Sequence, residues 1–203
     1  MHIGLYFGTF NPIHVGHLII ANYMAEYTDL DKVWLVVTPN NPLKEKSTLL
    51  ADYHRLALCR IAVEDNPKLY VSNIEFDLPK PSYTINTLVY LKEKYPQHQF
   101  SLIMGEDNLR TFHKWKNHEA IISENKLYVY PRILTVEELE QQNKQAATDY
   151  PYKNHPQVVF CDAPIMKVSA SFIRNAIKDK KDVRYLLTDA VYKYVTEMHF
   201  YEK

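Results

Sequence analysis

The chain has 203 residues, a length that suits one α/β domain better than two independent hydrophobic cores. Its 24 basic and 24 acidic side chains balance, so the chain has no net positive field, which disfavours non-specific nucleic-acid or anionic-membrane binding. Hydrophobic residues make up 46% of the chain and charged residues 24%, a composition that excludes extensive disorder.

Strand-like and helix-like segments alternate along the chain. The predicted strands are 2–7, 33–37, 70–76, 100–104, 126–130 and 158–160. The predicted helices are 15–27, 52–64, 84–94, 171–177 and 188–199, with two short pieces across 108–122 and a polar surface helix at 135–147. This alternation predicts a Rossmann-like, doubly wound parallel sheet with helices on both faces. We expect one domain over 1–203, with a helical C-terminal part from about residue 165.

Glycine is scarce, and most of it lies around the end of the first predicted strand. Only four glycines occur, against about 14 at ordinary usage, and three of them fall before residue 17. This stretch is therefore predicted to need close backbone approach or unusual φ and ψ angles. In doubly wound sheets ligands bind beyond the carboxyl ends of the strands, where this stretch would lie.

The segment 8–17, GTFNPIHVGH, carries the most distinctive pattern in the chain. It matches neither GxGxxG nor the phosphate loop GxxxxGK[ST], which disfavours hydride transfer and P-loop hydrolysis. His14 and His17 lie three residues apart at a helix start and share one face, where main-chain N–H groups favour an anion. Gly16 leaves room for a phosphate or adenine against the backbone. The pattern predicts polyphosphate binding; half of a zinc site is the alternative, without further ligands nearby.

A second anion site is predicted near the C-terminus, at the start of the helix 171–177. Ser169 and Ser171 supply hydroxyl groups, and Arg174 supplies a guanidinium that suits a phosphate. An ordinary helix cap beside a surface arginine is the alternative interpretation. Together with the first segment, this group is predicted to form the second jaw around a triphosphate.

Three further residues have both a binding and a structural interpretation. Asp107 follows the fourth predicted strand and can accept ribose hydroxyls or cap a helix. Trp115 can stack on a flat aromatic ring or belong to the core. Thr84 can present its hydroxyl and N–H to a carboxylate or cap the helix 84–94.

Residues 8–17 match the G-[TS]-F-[ND]-P-x-H-x-G-H signature of the nucleotidyltransferase superfamily, and four further segments extend the match. These are PNNPLK at 39–44, PSYTINTL at 81–88, MGEDNL with Phe112 and Trp115 at 104–115, and VSASFIR at 168–174. In order and spacing the segments resemble bacterial nicotinate-nucleotide adenylyltransferases. The resemblance implies transfer of the adenylyl group of ATP to nicotinate mononucleotide, which gives deamido-NAD and pyrophosphate in NAD biosynthesis.

The resemblance also implies which residues form the site. His14, His17 and Arg174 are the catalytic candidates. The ATP-binding candidates are Gly8, Thr9, Phe10, Gly16, His17, Lys44, Gly105, Asp107, Ser169, Ser171 and Arg174. The mononucleotide-binding candidates are Asn11, Tyr83, Thr84, Trp115 and Lys116, with Trp115 under the nicotinate ring and Thr84 and the Lys116 main chain at its carboxylate.

The expected mechanism is direct in-line attack of the mononucleotide phosphate on the α-phosphorus of ATP. The phosphate is already an anion, so the protein needs only to position two anions and offset the charge that develops. His14 and His17 would donate to the phosphates, and Lys44 and Arg174 would offset charge. The sequence contains no acidic cluster for a protein-bound metal, so Mg²⁺ is expected to arrive with ATP.

Three positions depart from the family pattern: Leu43 replaces a common histidine, Ala170 replaces a serine, and Phe7 stands where a second glycine is frequent. The sister transferases acting on nicotinamide mononucleotide or phosphopantetheine, or transferring cytidylyl groups, remain alternatives. A class I aminoacyl-tRNA synthetase fragment and a catalytically silent nucleotide sensor are further alternatives. The resemblance favours small-molecule substrates without nucleic acid or membrane partners.

Two observations predict a cytoplasmic location. The first charged side chain is Glu26, so the beginning of the sequence lacks a basic secretory segment. Cys59 and Cys161 form no CxxC motif or disulfide framework, as is usual in a reducing compartment.

Overall fold

A six-stranded sheet forms the centre of the computed structural model, which describes residues 1–39, 48–132 and 151–203. The strands are β1 (His2–Gly8), β2 (Lys32–Val37), β3 (Leu69–Ser72), β4 (Gln99–Gly105), β5 (Leu127–Tyr130) and β6 (Val158–Phe160). Their order is β3-β2-β1-β4-β5-β6, and all neighbouring strands are parallel. The strand order reverses between β1 and β4, which is the switch point of a doubly wound sheet. The predicted fold class is confirmed.

Helices connect the strands and follow the predicted pattern closely. They are α1 (Val15–Tyr27), α2 (Asp52–Val63), α3 (Thr84–Lys94), α4 (Glu106–Thr111), α5 (His118–Glu124), α6 (Ala170–Lys178) and α7 (Asp189–Glu197). Short 3₁₀ turns lie at Ile74–Phe76, Phe112–Lys114 and Arg184–Leu186. The predicted helix 135–147 lies outside the described residues. The longest described helix, α1, has 13 residues, and none of the described helices is long and apolar enough to span a membrane.

The predicted strand 70–76 is shorter than expected. The chain leaves the sheet after Ser72, where the last pair joins it to Val36 of β2. It then enters a 3₁₀ turn that buries Glu75, whose Oε1 accepts a hydrogen bond of 2.7 Å from the Thr87 hydroxyl of α3. The turn thus places the Glu75 carboxyl group against α3 at the point where the strand ends.

The two faces of the sheet are covered by different helices. Val33 and Leu35 pack into one hydrophobic cluster with residues of α1, α2, α6 and α7. Trp34 and Val36 point the other way, into a cluster with residues of α3, α4 and α5. Burial on both faces explains the continuous apolar run of β2. Val195 of α7 belongs to the same cluster as Tyr6 of β1, so the C-terminal helices contribute to the core that covers this face of the sheet.

The helices α6 and α7 end in left-handed residues that are not glycine. Lys180 has φ 57° and His199 has φ 51°. The N–H of Lys181 donates to the Ala176 carbonyl at 2.8 Å, and the N–H of Phe200 donates to the Val195 carbonyl at 3.1 Å. This is the Schellman arrangement, in which glycine is the usual left-handed residue.

Replacement of the exposed Lys180 by glycine is expected to raise the free energy of unfolding by about 0.5–1 kcal/mol, because a side chain is strained at positive φ. The same replacement at Lys178, inside α6, is expected to lower it by about 0.5–1 kcal/mol. Urea unfolding of both variants measures the difference. Equal changes of the same sign would contradict the explanation.

Candidate active site

A cavity of about 800 Å³ opens at the carboxyl end of the sheet, beside the switch point between β1 and β4. Its volume suits a nucleotide-sized ligand. The predicted site residues that line it are Gly8, Thr9, Phe10, Asn11, His14, Gly16, His17, Asp107, Ser169, Ser171 and Arg174. Segments that are far apart in the sequence therefore meet in one place. The prediction that two anion-binding segments surround one triphosphate requires this arrangement.

His14 and His17 form a stacked pair at the start of α1. His14 is the N-cap residue, and the two ring centroids lie 3.7 Å apart at an interplanar angle of 26°. Nδ1 of His17 accepts a hydrogen bond of 3.3 Å from the main-chain N–H of His14, which leaves the proton of a neutral His17 ring on Nε2. Nδ1 of His14 is buried and has no hydrogen-bond partner among the described residues.

Burial keeps both rings neutral near pH 7. It lowers the pKa of His14 to about 4, with a smaller contribution from the nearby Arg132 guanidinium. Burial also holds the pKa of His17 well below its ordinary value, assisted by His14 and Arg132. A bound polyphosphate would oppose both effects, because a nearby anion favours the protonated form.

The stability of the fold should depend on pH through His14. Its pKa of 6.5 in the unfolded chain falls to about 4 in the folded chain, so between these values only the unfolded chain binds the proton. The free energy of unfolding therefore falls as the pH falls, by about 3 kcal/mol at pH 4. Urea unfolding of wild type and His14→Gln between pH 7 and pH 4 tests this, since the variant lacks the titration. A difference between the two proteins that stays constant across this range would contradict it.

Two glycines allow aromatic side chains to lie against the backbone of residues 8–17, the first segment of the site. A Cβ atom at Gly16 would come within 3.0 Å of Nδ1 of His14, and one at Gly8 within 2.8 Å of the Phe10 ring. All four glycines have ordinary negative φ angles, and the left-handed residue is instead Phe10, with φ 47°. The structure shows both expected features of this stretch, close approach at the glycines and an unusual backbone angle, the latter at Phe10. Burial of the Phe10 ring offsets its backbone strain.

Arg174 reaches from α6 to the first segment. Its Nη1 donates to the main-chain carbonyl of Asn11 at 2.8 Å, and its Nη2 donates to the Ser171 hydroxyl at 3.2 Å. The Ser169 hydroxyl accepts a hydrogen bond of 3.1 Å from the Phe172 N–H and caps α6. The capping interpretation is correct for Ser169, while Arg174 is half-buried in the cavity wall rather than a surface arginine.

Asp107 and Arg132 form an ion pair in the cavity wall. Oδ2 of Asp107 accepts from Nη1 of Arg132 at 2.8 Å, and Oδ1 is buried without a hydrogen-bond partner among the described residues. A Cβ atom at Gly105 would lie 2.4 Å from this Oδ1, so Gly105 gives the carboxylate its room without lining the cavity itself. Asp107 lies within α4 and does not cap it. The orphaned oxygen is an acceptor suited to a ribose hydroxyl.

Asn11 lines the cavity, but its side chain is used within the protein. Nδ2 donates to the Thr48 carbonyl at 2.8 Å, and Oδ1 accepts from the Leu50 N–H at 3.1 Å and from the Tyr201 hydroxyl at 2.8 Å. The residue is buried. The structure therefore gives the Asn11 side chain a role in tying segments together, and its contact with a substrate stays a prediction.

The remaining predicted residues do not line the cavity. Tyr83 is the N-cap residue of α3, Thr84 begins this helix, and Nζ of Lys116 lies 4.5 Å from the centre of the Tyr83 ring. Trp115 packs on Phe112 at 5.4 Å between ring centres, beside a hydrophobic cluster that Phe7 of the cavity wall also contacts. These residues form a second group, separate from the triphosphate candidates.

Lys44 and Leu43 lie outside the described residues. The other two departures from the family pattern, Phe7 and Ala170, both lie in the cavity wall. Among the described ranges, no three His, Cys, Asp or Glu side chains lie close enough to hold a metal ion together. The stacked arrangement of His14 and His17 is also unsuited to shared zinc ligation, because parallel rings do not converge on one ion.

Three residues of the cavity wall were not predicted from the sequence: Arg132, Tyr6 and Tyr130. The hydroxyls of Tyr6 and Tyr130 lie 3.3 Å apart, and both residues line the cavity with Arg132. Arg132 follows β5 by two residues, and the carboxyl ends of parallel strands are where such a site is expected. Its position just after β5 was the sequence signal that could have identified Arg132 as a site residue.

Comparison with known proteins agrees with the fold. Residues 5–176 match the model of the cytidylyltransferase-like family, which makes the chain a nucleotidyltransferase. It is 56% identical to the probable nicotinate-nucleotide adenylyltransferase of Flavobacterium johnsoniae, with all of both chains covered. It is 45% identical to the protein of the same name from Bacteroides fragilis, over 96% of this chain and 90% of that one. The chain belongs to the nicotinate-nucleotide adenylyltransferase family.

Solved structures share the fold at much lower identity. The Plasmodium falciparum nicotinic acid mononucleotide adenylyltransferase complexed with NaAD aligns with a TM-score of 0.75 and 17% identity, over 99% of this chain and 97% of that one. A putative nicotinate-nucleotide adenylyltransferase from Vibrio parahaemolyticus aligns with a TM-score of 0.69 and 20% identity, over 100% and 96%. Family membership sets aside the interpretation as an aminoacyl-tRNA synthetase fragment.

Proposed function

We propose that this protein transfers the adenylyl group of ATP to nicotinate mononucleotide and releases pyrophosphate, forming deamido-NAD for NAD biosynthesis. The observation that carries the proposal is the convergence of His14, His17 and Arg174 on one cavity at the switch point of the sheet. The relatives in Flavobacterium and Bacteroides carry this activity in their names. A Plasmodium falciparum structure of the same fold contains NaAD, the product of the proposed reaction.

In the proposed reaction an oxygen of the mononucleotide 5′-phosphate bonds to the α-phosphorus of ATP. The bond from this phosphorus to the bridging oxygen breaks, and pyrophosphate leaves with the electron pair. No nucleophilic side chain is required, so the catalytic contribution comes from positioning and charge stabilisation. His17, with its Nε2 proton, and His14 donate to the phosphates, and the Arg174 guanidinium stabilises the charge that develops toward pyrophosphate.

The remaining cavity residues complete the ATP site in this proposal. Gly8, Gly16, Thr9 and Phe10 shape the backbone wall, and Ser169 and Ser171 lie at the start of α6 beside the phosphates. Asp107 accepts the ribose hydroxyls through its unpartnered Oδ1, with Gly105 providing the room. Lys44 adds a cation from the segment that precedes Thr48. ATP enters as its Mg²⁺ complex, a hard-cation complex held through the phosphate oxygens of the substrate.

The second group of residues is the proposed site of the nicotinate ring. Trp115 offers an aromatic face, and Thr84 and the main chain at Lys116 offer donors to the ring carboxylate. The first turn of α3 favours an anion, because its main-chain N–H groups point outward and its dipole is positive there. Tyr83 and Lys116 contact each other across the two segments that carry these donors.

A pyrophosphate-release assay with three acceptors tests the proposal. The purified protein with MgATP is expected to turn over nicotinate mononucleotide with a kcat/KM at least about tenfold above that of nicotinamide mononucleotide, because the amide lacks the charge that α3 favours. Phosphopantetheine is the third acceptor and is expected to give no turnover. Preference for either of the last two acceptors would assign a sister adenylyltransferase activity. ATP binding without pyrophosphate release from any acceptor would indicate a nucleotide sensor.

The proposal also covers location and partners. Free cysteines at 59 and 161 fit a reducing cytoplasm, and the balanced charge argues against nucleic acid as a partner. The shared cluster of Tyr6 and Val195 supports one domain across 1–203, in which the C-terminal helices carry part of the active site.

A further inference from the structure

The end of the chain folds back onto the first segment of the active site. After α7 the Schellman turn at His199 reverses the chain and brings Tyr201 toward the cavity wall. The Tyr201 hydroxyl donates to Oδ1 of Asn11 at 2.8 Å, across a separation of 190 residues in the sequence. No pattern in the sequence links these two positions.

Asn11 transmits this contact to Arg174. Both polar atoms of its side chain are occupied, by Thr48 and Leu50 as well as by Tyr201. Its main-chain carbonyl accepts the 2.8 Å hydrogen bond from Nη1 of Arg174. A change in the position of Asn11 therefore moves the acceptor that orients this guanidinium.

The end of the chain is held in place by more than the Tyr201 hydroxyl. Phe200, the preceding residue, packs its ring on His54 of α2 at 4.7 Å and on Tyr194 of α7 at 5.9 Å. Burial raises the pKa of the Tyr201 hydroxyl, so the group stays protonated and acts as a donor at neutral pH. Loss of the hydroxyl alone thus leaves the end of the chain seated while removing one donor to Asn11.

We propose that Tyr201 is a positioning residue for adenylyl transfer, whose hydroxyl acts through Asn11 to hold the Arg174 guanidinium in place for the triphosphate of ATP. The inference rests on the proposed function for its catalytic consequence. Its consequence for ATP binding is independent of turnover. Positioning of this kind is sensitive to small displacements, because a charged hydrogen bond weakens steeply with poor alignment.

Tyr201→Phe tests the proposal, with Tyr194→Phe as the matched control. Tyr194 lies in the same region and its hydroxyl contacts Nδ1 of His54 at 3.2 Å, without touching Asn11. Tyr201→Phe is expected to weaken MgATP binding, measured by isothermal titration calorimetry, about fivefold and to raise the KM for ATP to match. The KM for nicotinate mononucleotide should stay within about twofold of wild type. Tyr194→Phe should match wild type in all three quantities.

A double-mutant cycle with Arg174→Ala separates positioning from a general structural effect. If Tyr201 acts through Arg174, Tyr201→Phe will weaken MgATP binding no further in the Arg174→Ala background. A fivefold loss that persists in this background would overturn the proposal, as would equal behaviour of Tyr201→Phe and Tyr194→Phe. A wild-type protein that binds MgATP but turns over no acceptor would refute the proposed function, and the calorimetric cycle would still decide the role of Tyr201.

Discussion

Replacement of His17 by alanine is expected to lower kcat for pyrophosphate release by about 10²–10³-fold, with a smaller effect on the KM for nicotinate mononucleotide. His17 accepts the His14 N–H at Nδ1, so the neutral ring presents the Nε2 proton as a fixed donor in the cavity. A preorganised donor contributes most when charge develops on the phosphates, and loss of one such donor typically costs this factor. Steady-state kinetics with MgATP and nicotinate mononucleotide measure the change.

Two variants control this experiment. His113→Ala removes an exposed histidine that lies in the 3₁₀ turn Phe112–Lys114 outside the cavity, and it should leave kcat unchanged. His17→Gln keeps an amide donor of similar reach and should recover part of the lost activity. A kcat for His17→Ala within about threefold of wild type would contradict a donor role in the transition state.

The sheet and its helices were predictable because both leave local patterns in the sequence. Burial on both faces makes β2 an uninterrupted apolar run, and Asn66-Pro67 and Tyr83-Thr84 mark helix boundaries that the structure reproduces closely. The prediction was wrong for the end of the strand 70–76, which stops after Ser72. Glu75 lies in the turn that follows and pairs with Thr87 of α3, a contact that no local pattern reveals.

The candidate site was predictable to the extent that its residues lie in compact segments. His14, His17 and Gly16 belong to one turn of chain whose spacing carries its own chemical meaning, and the structure brings them together with Arg174. The resemblance to the family had already predicted that these separate segments form one site. It also suggested Asn11 as a substrate contact, and the structure bonds the side chain of this residue to two other segments, at 48–50 and at Tyr201.

The residues that hold the first segment of the site in place could not be predicted from the sequence. Tyr201 and Arg55 act on the first segment through hydrogen bonds to single atoms, from positions far along the chain. Tyrosines and arginines of this kind have no periodicity, and in a sequence they look like any surface residue. Only the fold, which buries Arg55 and half-buries Tyr201, shows that each must have partners.

Replacement of Arg55 by alanine is expected to lower the free energy of unfolding by about 3–5 kcal/mol. Arg55 is 0% exposed, and its guanidinium pairs with Asp52 at 2.5 Å. It also donates to the carbonyls of Leu50 at 3.1 Å, Thr9 at 2.6 Å and Thr38 at 2.8 Å. Alanine would leave three carbonyls without their donor and open a cavity in place of a large buried side chain, and these two effects together cost about this amount. Urea unfolding at neutral pH measures the change.

Arg60 provides the matched control, because it lies on the same helix with its side chain exposed. Arg60→Ala should change the free energy of unfolding by less than about 0.5 kcal/mol. A loss of under about 1 kcal/mol in Arg55→Ala would contradict the role of the buried guanidinium.

Arg55 also connects stability to function. Two of its acceptors are the carbonyls of Thr9 and Thr38, which directly follow β1 and β2 and line the cavity. MgATP at a hundred times its Kd should stabilise the wild type by about 2.7 kcal/mol. If Arg55 holds the rim in its binding geometry, the same MgATP concentration will stabilise Arg55→Ala by much less. Equal stabilisation of both proteins would show that the cavity keeps its shape without Arg55, and that this arginine serves the core alone.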